Sequence, residues 1–172
     1  LAETILMTQI GYENLLAKIT EKEKEYDQVR DHRQVAFELS GDGWHDNPEF
    51  NRMQQLEANL NHTLKTLNDR LDVMKFIDIH DGMRNVQQVE IGSIVKLRRY
   101  DLADDSEIEE IWEIRGFDET NIKLKHLAYN APLAEKIMHL HVADIAEEVQ
   151  IGSRHFDIEV VALFKTRLIA GI

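Results

Sequence analysis

Two apolar stripes at helical spacing, separated by one short cluster of glycine and proline, constrain this chain more than any other feature. Tyr12, Leu15, Ile19, Tyr26, Val29 and Ala36 fall on a pattern of threes and fours, with Lys22 and Arg33 interrupting the seam. Met53, Leu56, Leu60, Leu64, Leu67, Leu71 and Met74 make a cleaner one. The positions between are largely charged or amide residues, so each stretch reads as a long amphipathic helix with one face to bury. Ser40 to Pro48 joins them. Gly41 and Gly43 end the first helix, Pro48 suits the first turn of the second, and Asp46 or Asn47 serves as its cap. A connection this short forces the helices antiparallel. The expectation is a coiled-coil hairpin over residues 7–75, with Tyr12–Leu39 and Pro48–Val73 as its arms.

After residue 90 the period changes to two. Ile91 to Arg98, Ile111 to Arg115, Ile122 to Lys125 and Phe156 to Val160 alternate as half-buried strands do, and Ala131 to Met138 reads as a short helix with Pro132 near its start. The fold class expected is therefore α+β: the helical hairpin, a linker over 76–90, and a small antiparallel β-sheet domain with one short helix over 91–165.

Composition narrows the partners. With 32 acidic against 20 basic residues the net charge is −12, which suits a basic protein surface or the delivery of carboxylates to a metal. Weak direct DNA binding is expected, because phosphate neutralisation needs clustered Lys and Arg. The longest apolar runs, such as Val160 to Phe164, fall far below the roughly 20 residues of a membrane span, so no membrane is expected. Zero cysteines rule out disulfides and thiolate metal sites and suit a reducing, cytoplasmic setting. Leu1 to Leu6 is too short, and at Glu3 too acidic, for a signal peptide, and with Leu1 in place of an initiator Met the expectation is that the true start or a tag is missing from view.

The hairpin tip is where function is expected, since long helices only hold it out. It carries Asp42, Asp46 and Glu49 with Trp44 and His45 beside them. One or two carboxylates suffice to take part in a Mg²⁺ shell that other groups complete. From composition alone, helix capping and a solvated turn account for Asp46 and Glu49 without any chemistry and are the favoured reading.

The chain resembles the Gre family of bacterial transcript-cleavage factors. The likeness is carried, in order, by Met7-Thr8 and Gly11 before the first helix, and by the tip Gly41-Asp42 through Asp46-Asn47-Pro48-Glu49-Phe50. Gly92-Ser93-Ile94-Val95, Ala131-Pro132-Leu133-Ala134 and Phe156 to Val161 continue it. The resemblance implies an FKBP-like fold for the C-terminal domain, which docks at the rim of the secondary channel of RNA polymerase while the coiled coil enters. Asp42 and Asp46 would then help hold a Mg²⁺ shared with the polymerase active site and stimulate hydrolysis of backtracked RNA. The protein would be an accessory factor and no enzyme by itself, with the nascent RNA 3′ end as a further partner. Arg30, Arg33 and Arg52 are candidate RNA contacts, and Trp44, His45 and Glu49 would support the tip. The tip departs from the family pattern: Asp46 stands where the family has Glu, and one residue is added. The alternative is a channel-binding regulator that inhibits or modulates the polymerase without cleavage.

His139 and His141, with His155 later, have a spacing that puts two side chains on one strand face, but no third ligand is identifiable. Trp112, Phe117, Tyr129 and Phe156 fit a sheet core as well as they fit an isomerase-like pocket.

Overall fold

The computed structural model describes residues 4–172; residues 1–3, with the reading made of the amino end, lie outside it. The chain forms two compact units: Tyr12–Met74 with the residues up to Ile5, and Leu6–Gly11 with Lys75–Ile172.

The first unit is the helical hairpin. Helix α1 spans Gln9–Ser40 and α2 spans Pro48–Val73, so α1, at 32 residues, is about 48 Å long at 1.5 Å per residue. Leu15, Ile19, Ala36, Met53 and Leu67 are buried, and Leu60, Leu64 and Leu71 are half-buried, as the seam requires. Leu56 corrects the pattern. It is exposed, and its neighbour Glu57 turns inward instead. There Arg33 Nε lies 2.6 Å from Glu57 Oε2, and the Tyr26 hydroxyl donates to Glu57 Oε1 at 3.3 Å. The two interruptions of the apolar repeat, one on each helix, thus answer each other across the hairpin.

The second unit is built on a five-stranded sheet ordered β5-β4-β3-β7-β6, with β3 Ile94–Asp101, β4 Glu107–Arg115, β5 His126–Ala128, β6 Ile145–Ile151 and β7 Arg154–Phe164. Strands β1 (Ile5–Met7) and β2 (Met74–Phe76) make a separate two-stranded sheet. Helix α3 (Pro132–Ile137) sets Leu133, Ala134 and Ile137 into a core with Val95, Leu97, Ile114, Phe156, Ile158 and Val160. A last short helix, α4, spans Arg167–Ala170.

Four expectations change here. The sheet is antiparallel except at its edge, where β5 runs parallel to β4. Ile122 to Lys125 is a turn and no strand: the Asn121 side chain accepts from Leu124 N–H, Lys125 has a φ of 56°, and Ile122 and Leu124 are exposed. Residues 76–90 are part of the second unit and no linker. Val89 is fully buried in its core, and the buried Arg84 side chain donates to Gly92 O at 2.7 Å. His139 and His141 lie on no common strand, since His139 follows α3 at a φ of 67° and His141 sits in the turn before β6, its Nδ1 3.4 Å from Asp144.

Candidate functional site: the hairpin tip

Gly41–Asp46 winds as a 3-10 helix between the two arms. Gly41, at a φ of 52°, makes the left-handed step that ends α1. The cap of α2 is Asn47 and not Asp46: Asn47 Oδ1 accepts from Glu49 N–H at 2.9 Å and from Phe50 N–H at 3.4 Å. The same side chain reaches back to α1, its amide donating to Ala36 O at 3.2 Å and to the Ser40 hydroxyl. One residue therefore satisfies the start of α2 and straps it to the end of α1.

An aromatic cluster closes the tip from within. Trp44 lies 5.8 Å from Phe37 and 5.1 Å from Phe50, ring centre to ring centre, and Phe37 lies 6.1 Å from Phe50. Phe50 is buried and Trp44 half-buried, while the exposed His45 ring stacks on Trp44 at 3.4 Å. Edge and tilted packing of this kind adds about 0.5–1.5 kcal/mol per pair beyond the area buried. Phe37 was missed in the sequence because it sits off the α1 stripe, and only its closeness in number to Trp44 and Phe50 hinted at the cluster.

Asp42 and Asp46 are both exposed, and neither carboxylate makes a hydrogen bond or ion pair with a described residue. Glu49 differs. It pairs with Arg52 through two contacts, at 3.0 and 3.1 Å, and the Arg52 guanidinium holds the Glu49 carboxyl below its ordinary range. In a 3-10 helix residues three apart eclipse and each step rises about 2 Å. Asp42 is therefore in line with His45, and Asp46 is turned about 120° away and displaced about 8 Å along the axis. The two carboxylates are free to take a cation. Carboxylate oxygens suit a hard ion such as Mg²⁺. Among the described residues no group of three or more His, Asp or Glu side chains is arranged to hold a metal, so an ion at the tip would need most of its ligands from elsewhere.

The candidate arginines are already engaged to different degrees. Arg33 faces Glu57 in the seam, Arg52 is paired with Glu49, and Arg30 lies 3.6 Å from Asp27 with both side chains exposed.

A second polar constellation, unforeseen, holds the second unit together. Glu113 is buried against Arg115 at 2.8 Å, Arg84 at 3.7 Å and Arg167. Burial works to raise its carboxyl, but Arg167, Arg115 and Arg84 outweigh that and leave it below the ordinary range. Buried Glu119 accepts from Thr8 N–H at 2.7 Å and from the Thr8 hydroxyl at 2.9 Å. Gly11 and Gly116 both press on that carboxylate, where any Cβ would collide with it. The Thr8 and Gly11 motif residues are thus explained by structure. Both pack on the Glu119 carboxylate within the second unit.

Comparison with known proteins gives likeness of shape alone. No known family's sequence profile matches the chain, and no curated protein matches its sequence. Among solved structures, Gfh1 (GreA factor homolog 1) of Thermus thermophilus aligns over 94% of this chain and 99% of its own, at 18% identity and a TM-score of 0.43. Thermus aquaticus Gfh1 aligns over 94% and 99%, at 19% identity and a TM-score of 0.43. A GreA/GreB elongation factor from Nitrosomonas europaea aligns over 94% and 98%, at 15% identity and 0.36. They are Gre-type factors, the family whose motifs this chain resembles. At these scores the likeness does not extend to function.

Proposed function

We propose that this protein is an accessory factor of RNA polymerase: the hairpin enters the secondary channel, and the tip brings Asp42 and Asp46 to a Mg²⁺ of the polymerase active site. The observation that carries this reading is a pair of unpaired, exposed carboxylates at the end of a long helical hairpin. The reaction served is hydrolysis of backtracked RNA. Water adds to the phosphorus, the 3′ oxygen leaves and takes a proton, and a new extendable 3′ hydroxyl remains. Mg²⁺ in this setting stabilises charge on the attacking and leaving oxygens. Asp42 and Asp46 contribute ligation or orient the water, while Asn47 and the Phe37–Trp44–Phe50 cluster keep the turn from collapsing. The hydrolytic activity remains the polymerase's. Cytoplasmic placement follows from the partner, and among the described residues no helix is long and apolar enough to cross a membrane.

A second reading has its own support. Because a four-residue step on a 3-10 helix separates positions by about 120°, and Trp44 with His45 adds bulk between Asp42 and Asp46, the tip also suits a regulator that occupies the channel and slows the polymerase without cleavage. Purified backtracked complexes decide between the two. Stimulated cleavage that falls at least tenfold in both Asp42→Asn and Asp46→Asn, with polymerase affinity unchanged, supports the first. Wild-type protein that binds, slows nucleotide addition and never stimulates cleavage replaces it with the second. Protein that does not bind core polymerase ends both.

A further inference from the structure

The chain contains two Asp-Gly pairs, Asp42-Gly43 and Asp81-Gly82, and no Asn-Gly pair. Such a pair is chemically exposed: glycine has no side chain to shield its amide nitrogen, so that nitrogen can close on the carboxyl carbon of the residue before it. Both pairs lie in 3-10 turns, the first in Gly41–Asp46 and the second in Asp81–Met83. Their surroundings differ.

At Asp81 both reacting groups are held. The carboxylate lies 2.8 Å from Nε of Arg84, whose side chain is buried, and Arg84 is anchored in turn to Gly92 O at 2.7 Å. The Gly82 N–H donates to His80 Nδ1 at 3.1 Å. At the hairpin tip the exposed Asp42 carboxylate has no hydrogen bond or ion pair with a described residue. Gly41 and Gly43 flank it, and a Cβ on either would meet nothing within 4 Å. The hydrogen bonds of a 3-10 turn have poorer geometry than those of an α-helix, and local opening concentrates at exposed tips. Each opening frees the Asp42 side chain to swing towards the Gly43 nitrogen.

We propose that Asp42-Gly43 is a site of spontaneous modification, where the aspartate closes to a succinimide and reopens as isoaspartate, while Asp81-Gly82 is protected by its contacts. The Gly43 nitrogen bonds to Asp42 Cγ, and one carboxyl oxygen leaves with the carboxyl proton and the amide proton as water. A second water then opens the ring. Breaking the new Cγ–N bond restores aspartate. Breaking the bond from the Asp42 main-chain carbonyl carbon to the Gly43 nitrogen leaves the chain running through Cβ and Cγ, with the carboxylate on Cα. Only water is consumed and released. The converted tip has one more main-chain methylene between Gly41 and Gly43 and a carboxylate on a shorter stem. A catalytic group moved on the order of 1 Å loses much of its effect, so conversion would retire the tip carboxylate of an ageing chain.

The test is ageing of the full chain in warm neutral buffer made with heavy-oxygen water, followed by peptide mass spectrometry. Each passage through the ring leaves heavy oxygen on the residue, and fragmentation at the Cα–Cβ bond marks isoaspartate. Label and isoaspartate are expected at Asp42 at least fivefold above Asp81. In urea, with the fold removed, the two sites should come within about twofold of each other. Gly43→Ala fits the turn, since Gly43 has no positive φ and open space around it. It should cut conversion at Asp42 at least fivefold while circular dichroism stays unchanged. Equal conversion at the two sites in the folded chain, a difference that persists in urea, or no effect of Gly43→Ala overturns the proposal. The consequence for cleavage alone rests on the polymerase reading above: converted chains should stimulate at least fivefold less than fresh ones. Fresh protein that stimulates no cleavage removes that consequence and leaves the conversion, which is read by mass, standing.

Discussion

The hairpin and the sheet unit use the same pairing of acid and arginine in opposite surroundings. In the hairpin, Glu57 meets Arg33 and Tyr26 on a seam that leaves their side chains partly in water. In the sheet unit, Glu113 sits out of water among Arg84, Arg115 and Arg167. Two helices offer each other a single stripe, so charge placed there keeps much of its hydration. In the sheet unit three guanidiniums, from Arg84, Arg115 and Arg167, close around one buried carboxylate. Partly hydrated pairs set register and contribute little stability, whereas a buried pair becomes expensive once one partner is removed.

The comparison is open to direct test because the chain has two tryptophans, Trp44 in the hairpin and Trp112 in the sheet unit. Trp44→Phe and Trp112→Phe backgrounds let each unit report alone. The largest effect is expected for Glu113→Ala, which leaves three guanidiniums without their shared partner and should destabilise the sheet unit by about 3–5 kcal/mol. Glu57→Ala should cost the hairpin about 1 kcal/mol or less. Equal losses in urea titrations followed at the two tryptophans would break the contrast.

Packing should show the same asymmetry at smaller size. Ile158→Ala, at a fully buried position, should cost about 2–5 kcal/mol. Leu64→Ala on the half-buried seam should fall near or below the bottom of that range, because water already reaches the site. A hairpin as sensitive as the sheet would mean that its seam is drier than its exposures suggest.

At the tip, Asn47→Ala should cost the hairpin about 1 kcal/mol through loss of the cap. Asp46→Ala should cost almost nothing, since Asp46 caps no helix. Thermal unfolding of the two variants, followed by circular dichroism, separates them. A reversed order would reassign the cap.

The smallest expected effect is on pH dependence. Burial and then Arg115 hold the His126 imidazole below its ordinary value. Its neutral form is the one the fold holds, so its contribution is complete above about pH 6.5 and declines as pH falls below that. Glu113, also depressed, contributes above about pH 4.3 and loses that contribution as pH falls through its lower folded value. Between pH 7 and 5 the Trp112 signal should therefore lose more thermal stability than the Trp44 signal, and His126→Gln should flatten the difference. Parallel curves for the two signals would remove His126 from the account.

The hairpin was readable in the sequence because helical periodicity is local: residues three and four apart share a face whatever the rest of the chain does. Even so, Leu56 was misplaced. Which of two adjacent residues turns inward depends on the partner helix, and here Arg33 gives Glu57 an ion pair and Tyr26 a hydrogen bond. Strands were harder. Ile122 to Lys125 alternates like a strand yet lies in a turn governed by Asn121 and the positive φ of Lys125. β6, with Glu147 and Glu148 in it, went unread because an edge strand needs only one paired side and tolerates acid along it.

The sequence by itself determined the order of helix, tip, helix and sheet, and it named Asp42, Asp46, Trp44 and Asn47 as tip residues, because caps, glycine breaks and helical stripes act over a few residues. Tertiary structure alone decided three further things. It wound Gly41–Asp46 as a 3-10 helix between the two arms. It brought Phe37 and Phe50 onto Trp44. And it gathered Thr8, Gly11 and Gly116 around the Glu119 carboxylate. Each of these depends on groups distant in sequence or on the hand of a turn, and neither is encoded in any short run of residues.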